Sequence, residues 1–128
     1  MKKVLISILN SFRFAFEGLG YALKTQKNLH IQLLIAMLTL ILAIWLKLSG
    51  VEYAILLTVI IIVISLEIIN SAIETLVDLA CSEDHYLAKI SKDLGAAAVL
   101  FSAIASVVIG IVILGPKLLG KINSLLFR

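Results

Sequence analysis

Charge is scarce in this 128-residue chain: Asp, Glu, Lys and Arg make up 15% of it, against 62% apolar residues. Soluble domains carry about a quarter charged residues, and a small domain buries too little of its chain to hide so much apolar surface. A bilayer acting as solvent removes the difficulty, so one membrane-embedded domain over residues 1–128 is expected. A single cysteine, Cys81, excludes an internal disulfide and any CxxC site. Eleven Lys and Arg stand against eight Asp and Glu, and no basic run exceeds two residues. That slight excess argues against a nucleic-acid partner and suits anionic lipid headgroups. Also missing are a G-x-x-x-x-G-K-S/T phosphate loop, a protein-kinase signature and a Cys/His cluster for zinc. His30 and His85 are isolated, as polar residues at a boundary are.

Three uncharged stretches dominate what is present. Leu29 to Leu46 covers 18 residues, Tyr53 to Leu66 covers 14, and Gly95 to Leu114 covers 20. A spanning helix needs about 20 mostly apolar residues, so the first and third qualify directly. The second reaches only about 21 Å at 1.5 Å per residue, short of a hydrocarbon core of roughly 30 Å. Its helix must therefore continue through Glu67 and Asn70, which places those groups at headgroup depth. The expected fold is all-α: a surface helix over about 4–27, then spans over about 29–48, 53–73 and 95–114.

Lys2, Lys3 and the apolar residues Val4 to Leu9 imitate a signal peptide. The run breaks at Asn10 and Arg13 with no small-x-small site after it, so it is expected to belong to the mature protein. Leu5, Ile8, Phe12, Ala15, Phe16, Leu19 and Leu23 recur at three- and four-residue steps, opposite Asn10, Arg13, Glu17, Lys24 and Lys27. That pattern predicts a helix lying in the membrane surface; a helix packed on the protein itself is the alternative. Lys47-Leu-Ser-Gly-Val-Glu52 is a tight connection, and Cys81 to Lys92 a polar one. Lys2, Lys3, Arg13, Lys24, Lys27, Lys89 and Lys92 outnumber Lys47, Lys117, Lys121 and Arg128 on the other side. The positive-inside rule then puts the N-terminus in the cytoplasm. Ala98, Ser102, Ser106 and Gly110 form a row of small residues in the third span, which suits self-association in lipid.

Glu67, Asn70, Glu74 and Asp78 fall within roughly 80° of one helical face, with Ser71 on its border. Ionisable groups near a membrane core are costly, which marks them as functional candidates; a solvated polar stripe is the competing account. Burial tunes a carboxyl toward proton exchange, so Glu67 could take the proton of a lipid alcohol. Glu74, nearer water, could hold Mg²⁺ with phosphate oxygens, while Lys89 and Lys92 offset triphosphate charge. Together these describe phosphoryl transfer from nucleotide to lipid. A channel would need more polarity at mid-membrane than Thr39, Thr58, Ser65, Ser102 and Ser106 supply.

The segment Glu67-Ile-Ile-Asn-Ser-Ala-Ile-Glu74-Thr-Leu-Val-Asp78 resembles the pattern E-x-x-N-S/T-A-I-E-x-x-V-D of the bacterial diacylglycerol kinase family. Lys92-Asp93-Leu-Gly-Ala-Ala-Ala-Val99-Leu100 is similar to that family's K-D-x-x-A/S-A/G-A-V-L. Phe16-Glu17-Gly18-Leu19 and Lys27-Asn28 match as well, so the resemblance runs from about Phe12 to Leu114. It implies a three-span, homotrimeric enzyme of the bacterial cell membrane, with sites shared between protomers, that uses MgATP to phosphorylate diacylglycerol or undecaprenol. By position, Glu67 would be the catalytic base, Asn70 would orient the site and Glu74 would bind Mg²⁺ beside ATP. Lys92 and Asp93 would contact the nucleotide, helped by Glu83, Asp84 and His85. Two departures stand out: a second acidic metal ligand of the family aligns with Gln26, and a nucleotide-side tyrosine aligns with Phe14. Gln26 is the best support for the alternative, a non-catalytic membrane subunit that keeps the kinase fold. The Leu87-Ala-Lys89 stretch looks closer to undecaprenol kinases, which tilts the expected lipid that way.

Overall fold

The structure is a computed structural model that describes residues 2–81 and 85–126. Helix α1 covers Lys2–Thr25, α2 Lys27–Trp45, α3 Gly50–Ala80 and α4 Tyr86–Leu126. The last three are long and apolar enough to cross a membrane. The expected fold class, a leading helix followed by three spanning helices, is what the structure shows.

Helix α1 packs on the rest of the chain only through its end, where Ala22 is buried; Leu5, Ile8, Phe12 and Phe16 are exposed. An apolar stripe without a protein partner suits a helix lying on lipid better than one packed on its own chain. One extended residue, Gln26 (φ −99°, ψ 107°), separates α1 from α2 and lets the chain change direction there.

Helix α2 stops at Trp45, and Lys47 then adopts a left-handed backbone with φ 54°. The Lys47 N–H donates to Ile44 C=O (3.0 Å) and the Leu48 N–H to Ala43 C=O (3.3 Å). These two bonds, with apolar Leu48 folded back onto Ala43, form a Schellman C-cap. Ser49 then caps α3 reciprocally: its hydroxyl accepts from the Glu52 N–H, and the Glu52 carboxylate accepts from the Ser49 N–H at 2.7 Å. The same carboxylate meets Lys117 Nζ of α4 at 2.8 Å. Lys121 Nζ lies 5.7 Å from the centre of the Trp45 ring. Ala43, Leu46, Leu48 and Leu56 are buried beneath, against Ile113, Leu114 and Leu118. One end of the bundle is therefore closed by packing and by charge.

Away from that end, α2 and α4 each pack against α3 and scarcely against each other. An apolar cleft of about 200 Å³ opens between them, from Gln32 at one end to Leu114 at the other. Ser106 and Gly110 of the small-residue row line it, while Ala98 is exposed. The hydroxyls of Ser102 and Ser106 donate to carbonyls of their own helix, so they offer no polar path through the layer.

The helices run further than the uncharged stretches. Helix α3 extends to Ala80 and carries the whole acidic row; α4 begins at Tyr86, so Lys89, Lys92 and Asp93 stand on a helix rather than in a link. Polar composition had suggested a connection there, but a solvated helical turn has the same composition.

Lys47 offers a test of the cap. A side chain in the left-handed region costs about 1–2 kcal/mol that glycine avoids. Lys47→Gly is expected to stabilise the detergent-solubilised protein by about 1 kcal/mol, measured by denaturant unfolding. A lower midpoint would contradict the cap.

Candidate active site

The polar row of α3 becomes progressively more buried along the helix. Asp78 is exposed and Glu74 half-buried, while Asn70, Ser71 and Glu67 are buried, Glu67 to 2% exposure. Glu67 and Glu74 stand about 10 Å apart along the axis, two helical turns. Burying a carboxylate is costly unless it is paired or hydrogen-bonded. Among the described residues no cation lies within ion-pair distance of Glu67. Instead Gln32 of α2 donates its Nε2 to Glu67 Oε2 at 2.9 Å. Ser71 donates to the Glu67 backbone carbonyl at 2.8 Å, which removes its own hydroxyl from the site.

One turn further out, Asn70 Nδ2 donates to Glu74 Oε1 at 3.0 Å. The other end of that amide, Oδ1, is buried without a hydrogen-bond partner among the described residues. It sits against Gly95 of α4, the one buried residue of that helix. A methyl group on Gly95 would overlap Asn70 Oδ1 and come within 3.3 Å of its Cγ. Glycine is required here by the close approach of the two helices.

At the wet end, Lys92 Nζ of α4 donates to Asp78 Oδ1 at 2.5 Å. Lys92 lies before the apolar stretch of α4, and the Asp78 carboxylate, with Glu74 adding a smaller attraction, holds its ammonium above the ordinary lysine range. The positive charge is thus held at the outer edge of the row.

The structure therefore brings Glu67, Asn70, Glu74 and Lys92 together along the α3–α4 seam. Other sequence candidates lie apart from it. Asp93 is exposed on α4, and Phe14 is exposed on α1 at 63%. His85 is exposed, its Nδ1 accepting the Leu87 N–H at 3.2 Å at the start of α4. Glu83 and Asp84 lie outside the described residues. Gln26 is half-buried at the α1–α2 break, where its side chain makes no capping bond and its carbonyl faces His30 Nδ1 at 2.9 Å. Among the described residues no three His, Cys, Asp or Glu side chains gather to hold a metal. Two contributors went unassigned in the sequence, Gln32 and Gly95. Gln32 is the one amide within the first apolar stretch, and Gly95 opens the third; each is an oddity of position, but neither carries a sign of what it faces.

This arrangement, a buried carboxylate graded outward to a half-buried carboxylate and an exposed ion pair, defines a polar site on helices long enough to cross a membrane. The chain belongs to the prokaryotic diacylglycerol kinase family, whose model matches residues 13–114. It is 40% identical over 114 residues to a diacylglycerol kinase of Synechocystis, covering 88% of this chain and 65% of that protein. It is 38% identical to the undecaprenol kinase of Bacillus subtilis, over 84% of this chain and 88% of the relative. With the diacylglycerol kinase of Escherichia coli it shares 32% identity, over 79% and 83%.

The Gly95–Asn70 contact can be tested without any activity. Gly95→Ala is expected to destabilise the protein by about 1–3 kcal/mol through overpacking, and adding Asn70→Ala should recover most of that loss. Equal destabilisation by Gly95→Ala in both backgrounds would show that the amide is not what the methyl meets.

Proposed function

We propose that the chain transfers the γ-phosphoryl group of ATP to the hydroxyl of a membrane lipid alcohol, diacylglycerol or undecaprenol. The observation that carries this reading is Glu67: a buried carboxylate with no cation beside it among the described residues, hydrogen-bonded to Gln32 where the apolar cleft ends. A lipid tail lying in that cleft would carry its headgroup hydroxyl toward Glu67. The names of the relatives supply the two alcohols.

In this reading Glu67 accepts the hydroxyl proton as the lipid oxygen forms its bond to the γ-phosphorus. The bond from that phosphorus to the bridging oxygen breaks, ADP departs and Glu67 returns the proton to water. Asn70 orients Glu74 through the 3.0 Å bond. Glu74 fits Mg²⁺, which takes one or two carboxylates with phosphate oxygens and water: one of its oxygens meets Asn70, and the other has no hydrogen bond among the described residues. Gln26 would add at most a neutral oxygen. Glu74 would hold the Mg²⁺, which would supply positive charge to offset that of the phosphates. Lys92, held by Asp78, lies within reach of phosphate charge, and Asp93 and His85, with Glu83 and Asp84, would meet the nucleotide. Phe14 offers ATP an aromatic face without a hydroxyl. Since several of these groups stand apart on one chain, a site shared within a homotrimer is part of the proposal, as is a cytoplasmic N-terminus.

The test is purified protein incubated with labelled ATP, Mg²⁺ and each alcohol in parallel. Labelled lipid is expected from at least one. None from either would favour the non-catalytic subunit. Glu67→Gln should lower kcat about 10²- to 10⁴-fold while the protein still inserts and assembles; wild-type turnover would remove Glu67 as the base. Glu74→Gln should raise the Mg²⁺ concentration needed for half-maximal rate, and an unchanged Mg²⁺ response would take Glu74 out of the metal site.

A further inference from the structure

We infer that Gln32 is a positioning residue for the reaction: its side-chain amide fixes the Glu67 carboxyl group so that one oxygen faces the lipid hydroxyl. The inference rests on the proposed role of Glu67 as base.

Gln32 lies on α2, 35 positions from Glu67, and its Nε2–Oε2 bond is the hydrogen bond to the Glu67 side chain among the described residues. The other amide atom, Gln32 Oε1, is buried and makes no hydrogen bond among the described residues. Its neighbours along the cleft are apolar, among them Ile35, Ala36, Val63 and Ile64. An unpaired carbonyl in such surroundings costs stability, and an apolar side chain of the same length would pack there at no such cost. What the amide supplies is its N–H. Turning it round would set its oxygen against a carboxylate oxygen, two acceptors face to face, so the amide has one workable orientation.

A glutamate carboxyl rotates broadly about its last torsion. With Oε2 pinned at 2.9 Å the plane of the group is set, and Oε1, which makes no hydrogen bond among the described residues, is the oxygen left to take a proton. General-base transfer needs hydrogen-bond reach to the proton, and a displacement of about 1 Å can cost about 100-fold in rate. Among the described residues Asn70 makes no such contact: the hydrogen bond from its Nδ2 goes to Glu74, and that of the Ser71 hydroxyl goes to a backbone carbonyl. The donor for the base comes from a different helix, so the α2–α3 spacing decides its aim.

The experiment is a double-mutant cycle on the purified, assembled protein, using whichever alcohol it phosphorylates. Gln32→Met keeps length and packing but lacks the donor; Gln32→Asn keeps the amide but withdraws it from reach. Each is expected to lower kcat about 10- to 100-fold, with KM for lipid and for MgATP within about twofold of wild type. In the Glu67→Gln background, long incubations should show that Gln32→Met causes no further loss, because a positioning residue has nothing left to position. Undiminished kcat in both Gln32 variants, with Glu67→Gln inactive, overturns the inference and leaves the base assignment standing. Multiplicative losses in the double variant overturn it too, since Gln32 would then act independently of Glu67. Wild-type turnover by Glu67→Gln overturns the base assignment and the inference together.

Discussion

The lipid interior supplies no water to a polar group, so whatever α3 carries inward must be satisfied by protein. Glu67 is where that demand is greatest, and its satisfaction comes from outside its own helix, through Gln32 of α2. The neighbouring amide, Asn70, donates to Glu74 on one side and is packed against the bare backbone of Gly95 on the other, where its Oδ1 has no hydrogen-bond partner among the described residues. Both contacts need helices at a set distance, and the distance is set elsewhere. At the far end the Schellman turn at Lys47, the reciprocal cap of Ser49 and Glu52, and the Glu52–Lys117 pair bind three helices into one closed corner. Beyond that corner a cleft opens between α2 and α4 along α3, and it ends at Gln32, whose amide holds the buried carboxylate. The closed corner and the open cleft are one design: the first fixes the spacing that the second exploits.

The spans were legible because length and lack of charge suffice to select them, and α1 was legible as a helix in its 3.6-residue apolar stripe. The acidic row was legible for the same reason, since Glu67, Asn70, Glu74 and Asp78 share a face on any α-helix and the motif they form is specific to its family. Helix ends were less so. Lys89, Lys92 and Asp93 have the composition of a loop and stand on a helix, because a turn of helix in water needs no apolar residues. Least legible were the partners. Nothing at Gln32 refers to a glutamate 35 residues away, and nothing at Gly95 refers to an asparagine on the preceding helix. Contacts between helices carry no period, and the chain alone does not disclose them.

The family relationship and the geometry inform different parts of the picture. The relatives carry the names of two lipid substrates, while the geometry shows a buried carboxyl group held by an amide, with no counter-ion among the described residues. Gln26 doubles as the one-residue break that turns the surface helix into the first span, so its backbone has work to do whatever its side chain can hold.

The graded burial along α3 has one more implication. The Lys92–Asp78 pair stands in water, within the reach of dissolved ions that screen exposed charges over about 10 Å at 0.1 M. The Gln32–Glu67 bond is part-buried at the end of an apolar cleft, and its carboxylate is buried. Ionic strength and the choice of detergent or lipid therefore act on opposite rungs of the same ladder, the first on how charge is gathered at the rim, the second on how the inner carboxyl is framed.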